Sequence, residues 1–213
     1  MRQNRSFAAQ GFDSPCLSME NICVFGASSS RIDQKYIDCA AELGRLLAEN
    51  GFGLVFGGGR VGLMGAVAEG VRAHGGRVTG VIPERLNRPG IAYECCDELI
   101  VTATMHERKA RMEALSSGFV VLPGGFGTLE ELFEVLTLIQ LSYLSAPVVI
   151  LNLDGYYDAL ISQLAACVDA RFTHEAYLNI FRSASTAAEA VKYLVSYKPP
   201  DLPDKMEDAV KRQ

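Results

Sequence analysis

The stretch Pro123-Gly124-Gly125-Phe126-Gly127-Thr128-Leu129-Glu130-Glu131 concentrates more usable chemistry than any other part of the chain. It follows an apolar run, Gly118–Leu122, and opens a long amphipathic stretch. Three glycines within four positions (Gly124, Gly125, Gly127) let the backbone approach a ligand closely and turn its N–H groups inward. A helix that starts here adds unpaired N–H groups and the positive end of its dipole, which together suit a phosphate. A tight strand-to-helix turn is the competing reading. Thr128 followed three residues later by Glu131 spells a capping box, which gives Glu131 a structural task.

The residues after the glycines point to a ligand. Leu129, Leu132, Phe133, Leu136 and Ile139 form one apolar face, and Val135, Leu138 and Leu141 make most of the remainder apolar. Such a helix belongs in a core or a subunit interface. Against it, Glu130, Glu134 and Thr137 share one line at i, i+4 and i+7, and buried polar groups need partners or a ligand. A buried salt-bridge seam would also satisfy them. Arg108 stands with Met105, Met112 and Leu115 near the start of another helix-like stretch, where its planar fork suits a phosphate or ribose. Lys109 has a solvent-face explanation, pairing with Glu113 at i+4, and His106 reads equally as exposed or as a ligand contact. Gly57-Gly58-Gly59-Arg60-Val61-Gly62 and Gly26-Ala27-Ser28-Ser29-Ser30 are weaker loops, with Gly58, Gly59 and Ser28 as candidate contacts. Neither matches a dinucleotide fingerprint, and no P-loop motif occurs.

Short β-branched runs alternate with longer amphipathic ones from Asn21 onward. Strands are expected at Ile22–Phe25, Gly53–Phe56, Arg77–Ile82, Glu98–Val101, Gly118–Leu122 and Val148–Leu151, with an edge strand near Ile180–Ser183. Helices are expected at Gln34–Asn50, Leu63–His74, Met105–Ser116, Thr128–Tyr143, Tyr156–Ala170 and Thr186–Ser196. Alternation with strands apolar throughout implies an α/β fold of three layers, a mostly parallel sheet with helices on both faces. Ligands bind such sheets beyond the carboxyl ends of the strands, which is where every loop named above falls. A domain over 21–197 is expected, between an N-terminal arm (1–20) and a C-terminal tail (198–213) that contains a short helical turn at Met206–Lys211.

Composition narrows the partners. The 213 residues are 49% hydrophobic and 21% charged, an ordinary globular balance. A net charge of −5 argues against a binder of nucleic acid polymers. The opening residues lack a secretory apolar core, and no run approaches the ~20 apolar residues of a membrane span. The six cysteines are scattered without metal spacing and read as reduced thiols of a cytoplasmic protein, with no metal site.

Taken together, Gly57–Gly65, Met105-His106-Glu107-Arg108-Lys109, Pro123–Glu130 and Leu151-Asn152-Leu153-Asp154-Gly155-Tyr156-Tyr157 resemble the LOG ("lonely guy") family. Its members are cytokinin riboside 5′-monophosphate phosphoribohydrolases, and the resemblance spans about Asn21 to Tyr197. It implies a modified Rossmann fold, a homodimer with sites near the subunit interface, and release of an adenine-type base and ribose 5-phosphate without a cofactor. It also implies that Arg108 and Glu130 form the catalytic pair. Substrate contacts carried over are Lys109, Gly124, Gly125, Phe126, Gly127, Thr128, Leu129 and Thr137, to which position adds Ser28, Gly58, Gly59, Met105, His106 and Glu134. The family's substrate-contacting acid before the Arg-Lys pair has no assigned counterpart, because Asn87–Glu98 departs from the pattern. Two rival functions are a nucleotide or cofactor carrier on the same fold and a lysine decarboxylase. The second needs a Schiff-base lysine, and only Lys109 lies near the glycine loops.

Overall fold

A computed structural model describes residues 21–203. The N-terminal arm and the turn expected at Met206–Lys211 lie outside the described residues. Seven strands, β1 (Asn21–Phe25), β2 (Gly53–Phe56), β3 (Val78–Pro83), β4 (Glu98–Thr102), β5 (Gly118–Val121), β6 (Val148–Leu151) and β7 (Arg182–Ala184), form one sheet in the order β4-β3-β2-β1-β5-β6-β7. Every pairing is parallel. The edge strand expected at Ile180–Ser183 is β7, shifted to Arg182–Ala184.

The helices are α1 (Gln34–Glu49), α2 (Gly62–Ala73), α3 (Met105–Ala114), α4 (Phe126–Gln140), α5 (Asp158–Asp169) and α6 (Ala187–Val195). The two-residue period of a strand sends alternate side chains to opposite faces. Ile22 and Val24 accordingly join Leu43, Leu47, Leu63, Val67, Val191 and Leu194, so α1, α2 and α6 cover one face. Cys23 and Phe25 join Met112, Leu132, Val135, Leu136 and Ile139, so α3 and α4 cover the other, with Leu160 and Ile161 of α5 against the same cluster. This is the expected three-layer α/β architecture.

Two local expectations change. Helix α4 starts at Phe126 instead of Thr128, with Gly125 extended at its cap position and no side-chain cap. The capping box therefore does not form at Thr128, which already lies inside the helix. Caps of that spelling do form at Thr104, whose side chain accepts from Glu107 N–H, and at Thr186, which accepts from Glu189 N–H, while the two glutamates accept from the N–H groups of Ala103 and Ser185 one residue earlier. Both thread in through extended backbone, which Thr128 lacks. Residues 198–203 are held rather than loose: Tyr177 Oη donates to Pro203 O at 2.9 Å, and Leu202 packs on the α4 side of the core. Among the described residues no helix is long and apolar enough to cross a membrane.

Candidate active site

Strand order reverses direction between β1 and β5, and crevices in open parallel sheets form at such a switch point. Phe25 and Val121 are register partners, so the loops after both strands leave the sheet side by side, and Ala27 N–H donates to Pro123 O at 3.2 Å. A cleft of about 640 Å³ opens at this place. Ser28 enters it from the β1 loop, Gly57 and Gly59 from the β2 loop, and Met105 and Arg108 from α3. Gly125, Gly127, Thr128, Glu130 and Glu131 form the α4 side. The first hydrogen bond of α4 runs from Leu129 N–H to Gly125 O, so the N–H groups of Phe126, Gly127 and Thr128 precede the helical ladder and remain available to an anion.

Arg108 is 7% exposed, and its seat is built by three segments. Its Nε donates to Val81 O at 3.0 Å and its Nη1 to Glu131 Oε1 at 2.8 Å. The third wall is Gly57, where a Cβ would stand 2.1 Å from Arg108 Nη2. Glu131 is itself 9% exposed, and burial pushes its carboxyl above the ordinary range, against the opposing pull of Arg108. A buried ion pair of this kind is costly to break from one side, by about 3–5 kcal/mol, because the survivor keeps an uncompensated charge.

Beside this couple lies a second one. Lys109 is buried between Glu130, whose Oε1 accepts a short hydrogen bond from its ammonium, and Glu134, whose Oε2 is 2.6 Å away. The Glu134 contact is a charge contact without hydrogen-bonding geometry, since that oxygen has no angular partner. Burial alone would lower the Lys109 pKa, but its two carboxylates outweigh it and raise the value. Glu113 faces the same cluster. Burial first, then the Glu134 charge, push it up to about 7, while Lys109 pulls the other way.

Several expectations are thereby relocated. The carboxylate that meets Arg108 is Glu131, where the family resemblance implied a catalytic pair of Arg108 and Glu130; Glu130 lines the cleft but is tied to Lys109. The solvent-face pairing of Lys109 with Glu113 does not occur, because α3 turns Lys109 toward α4. Thr137 is exposed, with its hydroxyl donating to Phe133 O at 2.7 Å, so the line from Glu130 through Glu134 ends before reaching it. His106 is exposed, and Phe126 is 94% exposed. Gly58, Gly124 and Leu129 lie next to cleft residues in the chain without lining it. Gly124 instead supports the loop, since a Cβ there would meet Thr128 Oγ1 at 2.1 Å. The sequence reading missed the apolar wall formed by Met64, Ile82, Leu86 and Ile91. No periodic signal marks it, because Leu86 ends a single 3-10 turn (Glu84–Leu86) and Ile91 lies in the irregular stretch after it.

A family model described as a possible lysine decarboxylase matches residues 64–194. A cytokinin riboside 5′-monophosphate phosphoribohydrolase of Arabidopsis thaliana is 44% identical over 180 residues, covering 84% of this chain and 79% of that protein. Another, from Oryza sativa subsp. japonica, is 44% identical over 178 residues, covering 84% of this chain and 74% of the relative. Among solved structures, the Moco carrier protein of Chlamydomonas reinhardtii superposes with a TM-score of 0.64 at 25% identity, covering 84% of this chain and 98% of that one.

Proposed function

The chain belongs to the LOG family of cytokinin riboside 5′-monophosphate phosphoribohydrolases, and from that membership we propose that it hydrolyses the N-glycosidic bond of cytokinin riboside 5′-monophosphates or AMP, giving free base and ribose 5-phosphate. The observation that carries this reading is one cleft holding both an open helix start and a buried Arg108–Glu131 couple. The phosphate sits at the N–H groups of Phe126 to Thr128, which fixes the ribose from a part of the substrate that does not react. Leaving-group departure breaks the C1′–N bond, sends its electron pair to the base and leaves positive charge on the ribose, as in glycoside hydrolysis. A fixed carboxylate stabilises that charge and takes the proton of the water that attacks C1′, and one proton passes to the nitrogen of the departing base, so that the base leaves neutral and the carboxylate is regenerated.

We assign this carboxylate to Glu131, on its burial and its contact with Arg108. Glu130 and Glu134 hold Lys109 at the cleft's edge. The remaining candidate contacts, Ser28, Gly59, Met105, Gly125, Gly127 and Thr128, border the same space. The apolar wall of Met64, Ile82, Leu86 and Ile91 supports an adenine-type base.

A lysine decarboxylase reading does not fit these residues. Lys109, the lysine beside the cleft, is clamped as an ammonium between two carboxylates, the opposite of the neutral amine a Schiff base requires. A carrier reading draws on the fold likeness to the Moco carrier, and the 44% identity to hydrolases outweighs it.

The active form proposed here is a homodimer. Helix α4 and its C-terminal end expose Phe126, Phe133 at 42%, Leu141 at 39% and Tyr143 at 80%, apolar surface that a second copy would cover. Chromatography of products from AMP, an isopentenyl-AMP and the matching nucleosides tests the activity. Free base from the monophosphates alone is expected; binding without any product would establish the carrier.

A further inference from the structure

The turn after β6, Asn152–Tyr157, lines no part of the cleft, yet two of its side chains donate to the carbonyls of Leu122 and Gly124 at the glycine loop. Three successive carbonyls at the end of β5 are each held by a donor from another segment. Leu122 O accepts from Tyr157 Oη at 2.8 Å, Pro123 O from Ala27 N–H at 3.2 Å, and Gly124 O from Tyr156 Oη at 2.8 Å. In a trans peptide the N–H points away from the C=O. Holding Gly124 O toward Tyr156 therefore turns Gly125 N–H the other way, and Gly125 is a cleft residue. That peptide plane has glycine at both ends, so no Cβ opposes its rotation. The tyrosine hydroxyl supplies the restraint that side chains would give elsewhere.

The turn is shaped for this. Asp154 and Gly155 take φ of 52° and 74°, which places Tyr156 and Tyr157 edge to face, with ring centroids 4.8 Å apart. Tyr157 N–H donates to Asn152 Oδ1 at 2.6 Å, and Lys35 meets Asp154 at 2.6 Å, tying the turn to α1. Tyr157 is 2% exposed and belongs to the core, whereas Tyr156 is 46% exposed. Removing the Tyr156 hydroxyl therefore leaves the core untouched.

We infer that Tyr156 is a positioning residue for the 5′-phosphate, locking the Gly124–Gly125 peptide so that its N–H joins those of the α4 start in binding the anion. The inference rests on the reading of the glycine loop as a phosphate site, and it does not require turnover.

The test is titration calorimetry of Tyr156→Phe and the parent protein with ribose 5-phosphate and, separately, with adenine. Thermal melting confirms that the variant is folded. The ribose 5-phosphate Kd should weaken by about fivefold, the effect of one neutral hydrogen bond, while the adenine Kd stays unchanged. Unchanged affinity for both ligands overturns the inference, as does equal weakening of both, which would mark a general loosening. A parent protein that binds adenine but not ribose 5-phosphate overturns it too. A parent that binds ribose 5-phosphate with this tyrosine dependence but cleaves no nucleotide upholds the inference while refuting the hydrolase.

Discussion

Glu130 and Glu131 are neighbours that serve different cations, and the cations differ in what they can do. Arg108 keeps its charge and presents several donors, so the carboxylate beside it is held in place with the couple facing the cleft. Glu131→Gln keeps the shape but removes the charge proposed to stabilise the ribosyl cation. Turnover of AMP should fall by roughly 10²–10³-fold while the protein still folds. Glu131→Ala should also lower stability, by about 3–5 kcal/mol, because Arg108 is left buried and unpaired. Glu130→Gln should cost far less turnover, since Glu134 still holds Lys109; steady-state kinetics of the two glutamine variants decides between them. Gly57→Ala places a methyl group 2.1 Å from Arg108 Nη2, too close for both to stay, and should depress kcat/KM together with Tm. The pairing was partly legible. Glu131 lies one residue before buried Leu132 and four before buried Val135, so a carboxylate on that line needs a cation. Thr128-x-x-Glu131 offered a simpler explanation, and the sequence alone did not rule it out.

At the scale of elements, the spelling Thr-x-x-Glu occurs at three helix starts and makes a cap at two of them. What separates them is the backbone before the threonine, extended at Thr104 and Thr186 but already helical at Thr128, because the glycines let α4 begin two residues early. Thr104→Ala should therefore cost about 1 kcal/mol by chemical denaturation, with a similar loss at Thr186. The α3–α4 contact adds a pH signature. Glu113 faces Lys109, Glu130, Glu131 and Glu134, and its pKa in the folded protein is about 7 against 4.5 ordinarily. The folded state thus holds the proton more tightly than the unfolded one. The stability this confers is complete below pH 4.5 and lost as the pH rises through about 7. Glu113→Gln should flatten that part of the profile relative to the parent, read as Tm across the interval; parallel profiles would show that Glu113 is not shifted. Strand and helix order was readable from alternation alone, with ends displaced by up to three residues. Lys109 was not, because its i+4 partner on α3 said nothing about the carboxylates α4 brings opposite.

For the whole molecule, the sheet's change of direction between β1 and β5 decides where chemistry can occur. The parallel sheet and its loop-bearing ends follow from periodicity, but the strand order does not, nor does the apolar wall that loop 84–91 lends to the cleft. The exposed face of α4 is a whole-molecule property too. Sedimentation should give a particle of twice the 23.1 kDa chain mass, and Phe133→Glu should shift it toward the monomer. Mass spectrometry of the products formed from AMP bears most directly on cleavage of the C1′–N bond. Adenine together with ribose 5-phosphate, and no such cleavage of adenosine under the same conditions, is the predicted result. Adenosine with inorganic phosphate, or equal cleavage of AMP and adenosine, would contradict it.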